Sequence, residues 1–113
     1  MPAGYQELFL EQGSNFNTSV ALDEADGSPY QLVDCEVKAV MKKSYYSSST
    51  TAEFVITIND PTEGILILSL PYANTANIPA GRYVYDVLIK DSSNTVSRVL
   101  EGVVNVLPQV TVF

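Results

Sequence analysis

The chain has 113 residues and 46% of them are hydrophobic, which suffices for one domain with a packed core and is too short for two. It contains no histidine and one cysteine, which excludes the commonest general base, an internal disulfide and a Cys/His zinc site. A net charge of −7 without any basic run argues against a nucleic-acid partner.

The first half of the chain predicts extended segments separated by turns. Residues 5–10 form a short apolar segment, and residues 16–22 alternate as a strand before the Asp-Gly and Pro signals of residues 23–29 reverse the chain. Residues 32–43 predict a half-buried antiparallel strand. Its predicted inward residues, with Cys35 as a small buried thiol, are Val33, Cys35, Val37, Ala39 and Met41.

Residues 44–51 form a Tyr/Ser/Thr tract that predicts a long, flexible, exposed loop. Tyr45 and Tyr46 stand at its beginning, and tyrosine rings can stack on sugars. This loop is therefore the candidate ligand site of the chain.

The second half predicts further strands of alternating pattern. Ala52 to Ile58 alternate, a run that is apolar on both faces follows at residues 65–70, and residues 72–78 fit one helical turn as a connector. Strands at residues 82–89 and 96–106 should pair as a hairpin, and residues 108–113 form a tail. About seven to eight short strands without a helical period predict an all-β, Ig-like antiparallel β-sandwich spanning residues 1–113.

A corner precedes the first strand of that hairpin. Pro79 fixes φ and Gly81 can adopt the positive φ that a sharp reversal needs. In Ig-like sandwiches a tyrosine just after such a corner often donates its hydroxyl to the backbone upstream. We therefore predict structural roles for Gly81 and Tyr83.

The acidic motifs of the chain give weak support for chemistry. Asp23, Glu24 and Asp26 precede a glycine, but their spacing does not fit an EF-hand loop and suits an ordinary turn. Asp34 and Glu36 share a predicted strand face with lysines, which is typical of a solvated, charge-balanced surface. We therefore expect no catalytic residue, no metal site and no cofactor.

The most informative signal is an excess of apolar residues on strand faces that should contact water. Alternation directs these side chains outward from strands whose other face is apolar, and the hairpin should bring several of them together. An exposed apolar patch on paired strands usually marks a partner surface, although cover by a loop or by the N-terminal segment is the alternative. The candidate interface residues are Ile65, Ile67, Val84, Leu88, Val99 and Val103.

Several motifs together resemble a known family. They are Gln12-Gly13-x-x-Phe16, Asp26-Gly27-x-Pro29, Gly64-x-Leu66-x-Leu68-x-Leu70, Ile78-Pro79-Ala80-Gly81-Arg82-Tyr83-Val84-Tyr85-Asp86 and Arg98-Val99-Leu100-Glu101-Gly102. This pattern resembles the small Ig-like structural proteins of tailed bacteriophages and is similar to the N-terminal domain of phage baseplate upper proteins. The resemblance does not extend to the receptor-binding or fibre portion of longer relatives, so we expect this chain to act without one.

The resemblance implies a non-enzymatic virion protein of the tail, baseplate, neck or capsid surface. Its expected partners are other virion proteins and further copies of itself. The alternative is a host-surface glycan-binding module that uses the Tyr/Ser-rich loop. No apolar run approaches transmembrane length and Met1–Gly4 open no signal peptide, so we expect no membrane association and a virion location after synthesis in the host cytoplasm.

Overall fold

The computed structural model describes residues 4–113, which form nine strands and one short helix. In chain order these elements are β1 Gly4–Tyr5, β2 Leu8–Glu11, β3 Phe16–Ala21, β4 Glu36–Lys42, β5 Ala52–Glu53, β6 Val55–Thr57, β7 Ile65–Leu70, α1 Tyr72–Thr75, β8 Gly81–Lys90 and β9 Val96–Leu107.

The strands form two sheets that pack face to face. The larger sheet has the order β1-β9-β8-β4-β5, with β2 also paired to β9, and the smaller sheet has the order β3-β7-β6. This arrangement confirms the predicted Ig-like β-sandwich. The pairing is antiparallel except at one edge, where β1 and β2 run parallel to β9, a feature that the sequence did not predict.

Strands β8 and β9 pair as the predicted hairpin, which forms the centre of the larger sheet. The inward residues of β8 (Tyr83, Tyr85, Val87 and Ile89) are each no more than 3% exposed. The register shifts between Val87 and Leu88, because β9 contains an extra residue there. Such a β-bulge reverses the inward and outward alternation of one strand relative to its partner.

One aromatic residue marks the point where the chain crosses between the sheets. Phe54 lies between β5, which pairs with the larger sheet, and β6, which pairs with the smaller one. Its ring is 3% exposed and packs edge-on against Tyr85, with 6.1 Å between ring centroids. The predicted single strand from Ala52 to Ile58 is therefore two short strands joined inside the core.

The predicted phase of the strand at residues 32–43 is wrong at its beginning. Asp34 has a φ of 59°, and β4 begins only at Glu36. Leu32 is consequently buried while Val33 is 51% exposed. Cys35 is half-buried against the core, and burial raises the pKa of its thiol, which disfavours the reactive thiolate.

The connector between the sheets contains the single helical turn α1, as predicted. Thr75 is fully buried there, and its hydroxyl donates a 2.8 Å hydrogen bond to the carbonyl of Ser14. This bond joins the connector to the turn that leads into β3. No helix within residues 4–113 is long and apolar enough to span a bilayer.

Candidate functional site

The corner before β8 has the geometry expected of a corner tyrosine. The hydroxyl of Tyr83 donates a 2.6 Å hydrogen bond to the carbonyl of Pro79, four residues upstream. Gly81 has a φ of 148°, in the region that favours glycine. The ammonium of Lys43 lies 4.8 Å from the Tyr83 ring centroid, within the range of a cation–π contact. The corner is thus a structural element.

The predicted outer patch on the hairpin is corrected by the bulge and by burial. Val99 stands at the bulge beside Leu100, is 5% exposed and belongs to the hydrophobic core. Its predicted place on the outer face is therefore wrong. Val103 does pair with Val84, but it is 8% exposed, so it offers little surface to a partner.

Charged residues interrupt the rest of that face. Arg98 lies 3.4 Å from the carboxylate of Asp86 and 3.7 Å from that of Glu101. Asp86 and Glu101 pair with each other between Val84 and Leu88, both of which are half-buried, and Arg98 stands opposite Leu88. The outer face of the larger sheet therefore does not present one contiguous apolar patch.

The outer face of the smaller sheet is different because it carries no charge. Alternation places every second residue of β3, β6 and β7 on this face, and none of those residues is buried. Ile65 and Ile67 lie on the central strand, with Ile65 37% exposed. The outward residues of the face are Asn17, Ser19, Ala21, Val55, Thr57, Ile65, Ile67 and Ser69. We call this surface the uncharged face.

The sequence did not single out a group of exposed residues at the N-terminal edge. Tyr5 and Phe9 are 67% and 61% exposed, and Leu107, which pairs with Glu11, is 44% exposed. The signal was present in Leu8-Phe9-Leu10, because a strand that buries both leucines must direct the phenylalanine outward.

The loop tyrosines are exposed, as the candidate ligand site requires. Tyr45 is 55% exposed and Tyr46 is 97% exposed. Within the loop, the backbone N–H of Ser44 donates a hydrogen bond to the hydroxyl of Ser47 at 3.2 Å. Both rings are therefore available to a ligand, although they line neither the cleft at residues 6–18 nor the one between residues 11–15, residues 72–76 and residues 107–113.

The acidic motifs act as turn residues. One carboxylate oxygen of Asp26 accepts hydrogen bonds from the hydroxyl and the backbone N–H of Ser28, which lower the pKa of Asp26. Asp60 makes the same pair of bonds with Thr62. Within residues 4–113, no three carboxylate or cysteine side chains are grouped closely enough to hold a metal ion.

Comparison with known proteins identifies the fold. No protein-family model matches the sequence, and no curated protein matches it significantly. Among solved structures, the chain is similar to the Listeria monocytogenes internalin-like protein lmo2027, with 16% identity and a TM-score of 0.50 over 93% of this chain. The chain spans only 28% of the length of that protein.

Two further likenesses are weaker. The Lin-41 filamin domain aligns over 80% of this chain and 81% of its own, with 18% identity and a TM-score of 0.42. A structure of ICOS in complex with ICOS-L and an anti-ICOS-L VNAR domain aligns over 93% of this chain and 56% of its own, with 13% identity and a TM-score of 0.47. At such identities a likeness concerns the fold alone.

Proposed function

We propose that this chain is a non-enzymatic structural protein of a tailed-bacteriophage virion that works through protein–protein contacts. Its motifs resemble that family, and an Ig-like sandwich is a common scaffold for assembly. The expected partners are other virion proteins and further copies of the chain. The expected location is the virion, after synthesis in the host cytoplasm.

The observation that carries the proposal is the uncharged face. Soluble proteins usually place charged residues on exposed sheet faces, whereas the centre of a protein interface is depleted of charge. Here Ile65, Ile67 and Val55 stand among Ser, Thr, Asn and Ala side chains. These small side chains allow a second flat sheet to approach to about 10 Å.

Burial of this face would stabilise an assembly. Removal of apolar surface from water contributes about 25 cal/mol per Å² before the costs of association. Copies of one chain in a virion are related by symmetry, so association of identical copies is the default. No charged side chain on the face has to be desolvated, which removes the penalty that a buried charge would add.

Sedimentation or light scattering of the full chain over a range of concentrations tests the proposal. We expect association that Ile67→Lys weakens, because the substitution places a charge at the centre of the uncharged face. The matched control is Leu88→Lys, which introduces the same charge on the outer face of the larger sheet. A strict monomer at high concentration, or association equally sensitive to both variants, would contradict the use of this face.

The second candidate function is binding of host-surface glycans by the Tyr/Ser-rich loop. The observation in its favour is the exposure of Tyr45 and Tyr46. A glycan array should then give a signal that Tyr45→Ala and Tyr46→Ala abolish, whereas Tyr72→Ala, which removes another exposed tyrosine, should leave it intact. An array without signal would rule out this candidate.

A further inference from the structure

We propose that residues 109–113 of one copy add as a strand to the open edge of β3 in a second copy. This inference rests on the proposed function, because it gives the association of identical copies a specific donor and acceptor. Four features carry it: the character of the β3 edge, the direction of its backbone groups, the cleft beside it, and a strand-forming segment that has no sheet.

The edge of β3 lacks the protection that the other sheet edges have. In the larger sheet, the edge strand β5 has two residues and the other edge is divided into the short strands β1 and β2. In the smaller sheet, the edge strand β6 has three residues. By contrast, β3 has six residues, Phe-Asn-Thr-Ser-Val-Ala, without any charge or proline. Proteins usually protect an edge of this length with lysine, proline or a bulge, so this edge is suited to accept a strand.

The backbone groups at this edge can be assigned from one hydrogen bond. The N–H of Leu22 donates to the carbonyl of Gly64 at 2.7 Å, at the end of the β3–β7 ladder. In an antiparallel ladder the backbone N–H and C=O groups of successive residues point alternately toward the partner strand and away from it. The backbone groups of the even-numbered residues of β3 therefore point to β7, and those of the odd-numbered residues point away from it. The N–H and C=O groups of Asn17, Ser19 and Ala21 therefore point to the open edge.

A cleft lies beside the same edge. It has a volume of 400 Å³ and runs between residues 6–11, at the edge of the larger sheet, and residues 14–18. A strand added to β3 would extend the smaller sheet across this cleft. Alternate side chains of the added strand would enter the cleft, as they do in β-augmentation.

The donor segment has the composition of a strand but forms none. Residues 109–113 read Gln-Val-Thr-Val-Phe, which is rich in β-branched residues. Val110 is 99% exposed and Val112 is 71% exposed. No residue from 110 to 113 makes a backbone hydrogen bond to another described residue.

The geometry favours a second copy over pairing within one chain. Strands β9 and β2 are parallel, so the chain beyond β9 continues in the direction in which β2 runs. After β2, residues 12–15 reverse the chain into β3. This turn stands between the donor segment and β3, and the N–H of Gln109 donates to the side chain of Gln12 at 3.2 Å. Donor and acceptor are different surfaces, so repeated pairing produces a ring or a filament.

Hydrogen exchange by NMR and sedimentation of the full chain test the inference together. In the monomer the outward amides of Asn17 and Ser19 should exchange rapidly, and their exchange should slow as concentration rises. Val112→Pro removes a backbone donor from the segment and should abolish the slowing, leaving only the association that the uncharged face supports. The matched control Val112→Thr keeps the N–H and the β-branched shape, and should behave as the unmodified chain does.

A mixing experiment identifies the head-to-tail geometry. Ser19→Pro removes an outward N–H that makes no bond to β7, so it should block acceptance of a strand and leave donation intact. With Ile67→Lys added to both variants to weaken association through the uncharged face, we expect Ser19→Pro and Val112→Pro each to be monomeric and their mixture to form a one-to-one dimer. If Ser19→Pro does not fold, binding of a synthetic peptide of residues 108–113 to Val112→Pro provides the same readout at Asn17 and Ser19.

Two outcomes overturn the inference. One is association that Val112→Pro leaves unchanged, and the other is rapid amide exchange at Asn17 and Ser19 in the associated chain. If such association is still weakened by Ile67→Lys, the proposed function survives and only the addition of residues 109–113 to β3 is ruled out. A strict monomer overturns the proposed strand addition and also contradicts association through the uncharged face.

Discussion

The hydroxyl of Tyr85 donates a 2.6 Å hydrogen bond to the backbone carbonyl of Gln6, 79 residues earlier in the chain. The N–H of Gln6 in turn donates to the carbonyl of Glu101 at 3.0 Å. Gly102 pairs with Tyr85 in the β8–β9 ladder, and a Cβ at Gly102 would overlap the carbonyl oxygen of Gln6. The N-terminal edge is thus held to the centre of the sandwich by a tyrosine and a glycine together.

Gly102→Ala should destabilise the chain by about 1–3 kcal/mol, in the range of an overpacked core. The added methyl group would collide with backbone, and backbone cannot move aside as a flexible side chain does. Urea unfolding measures the loss. Amide exchange at Leu8 and Leu10 should also accelerate, because the displaced edge loses its pairing to β9.

The control for this substitution is Gly4→Ala. Its Cβ would lie 3.6 Å from the Leu100 side chain, which is an ordinary contact. We expect little change in the free energy of unfolding. Equal effects of the two substitutions would show that the close approach at Gly102 is unimportant.

Tyr85→Phe should reduce the free energy of unfolding by about 1–2 kcal/mol, because the Gln6 carbonyl loses its side-chain donor in a partly buried position. Exchange of the β2 amides should accelerate. Tyr83→Phe is the matched control, since it removes a bond of the same length to Pro79 without touching the N-terminal edge. Unchanged β2 exchange in Tyr85→Phe would contradict this role.

Stability should fall at alkaline pH, and Tyr85 should account for part of the fall. Burial raises the pKa of Tyr85 above its ordinary value of about 10. Above pH ~10 the folded chain therefore keeps a proton that the unfolded chain loses, and the free energy of unfolding decreases by up to about 1.4 kcal/mol per pH unit. Below that pH the contribution is fully present.

Urea unfolding of the unmodified chain and of Tyr85→Phe between pH 9 and pH 11 measures this contribution. The difference between the two slopes isolates Tyr85 from the lysines and the other tyrosines. Parallel pH profiles would show that the Tyr85 hydroxyl ionises equally easily in the folded and unfolded chain.

The parts of the fold that depend on neighbouring residues were predictable from the sequence. The Tyr83 hydroxyl reaches Pro79, four residues away, so Pro, Gly and Tyr at short spacing were sufficient to predict it. The hairpin of β8 and β9 followed from two alternating runs joined by a turn. The contact between Tyr85 and Gln6 could not be predicted, because no local pattern specifies a contact across 79 residues.

Local backbone irregularities account for the errors in strand phase. A positive φ at Asp34 turned the chain, so that Leu32 is buried and Val33, which was expected to point inward, is exposed. The bulge opposite Val87 moved Val99 from the expected outer face into the core. Binary alternation assumes a regular strand, and neither irregularity changes the hydrophobic pattern on which the prediction depends.

The candidate interface was predictable only in part for the same reason. Ile65 and Ile67 lie on the outer face of β7, because the run from Ile65 to Leu70 contains no bulge. Val84 and Leu88 are separated by the ion cluster of Arg98, Asp86 and Glu101. That cluster depends on the register between two strands, which alternation within each strand does not specify.

Paired substitutions at Val99 and Val84 test the bulge directly. Val99→Ala should reduce the free energy of unfolding by about 2 kcal/mol, because it removes the equivalent of two buried methylene groups and leaves a cavity. Val84→Ala removes the same atoms from a half-buried outer position and should cost less than about 1 kcal/mol. If Val99 instead lay on the outer face, both substitutions would cost little and Val99→Lys would be tolerated. We expect Val99→Lys to prevent folding, since the core offers no partner for an ammonium group, and thermal unfolding of all three variants beside the unmodified chain decides between the two placements.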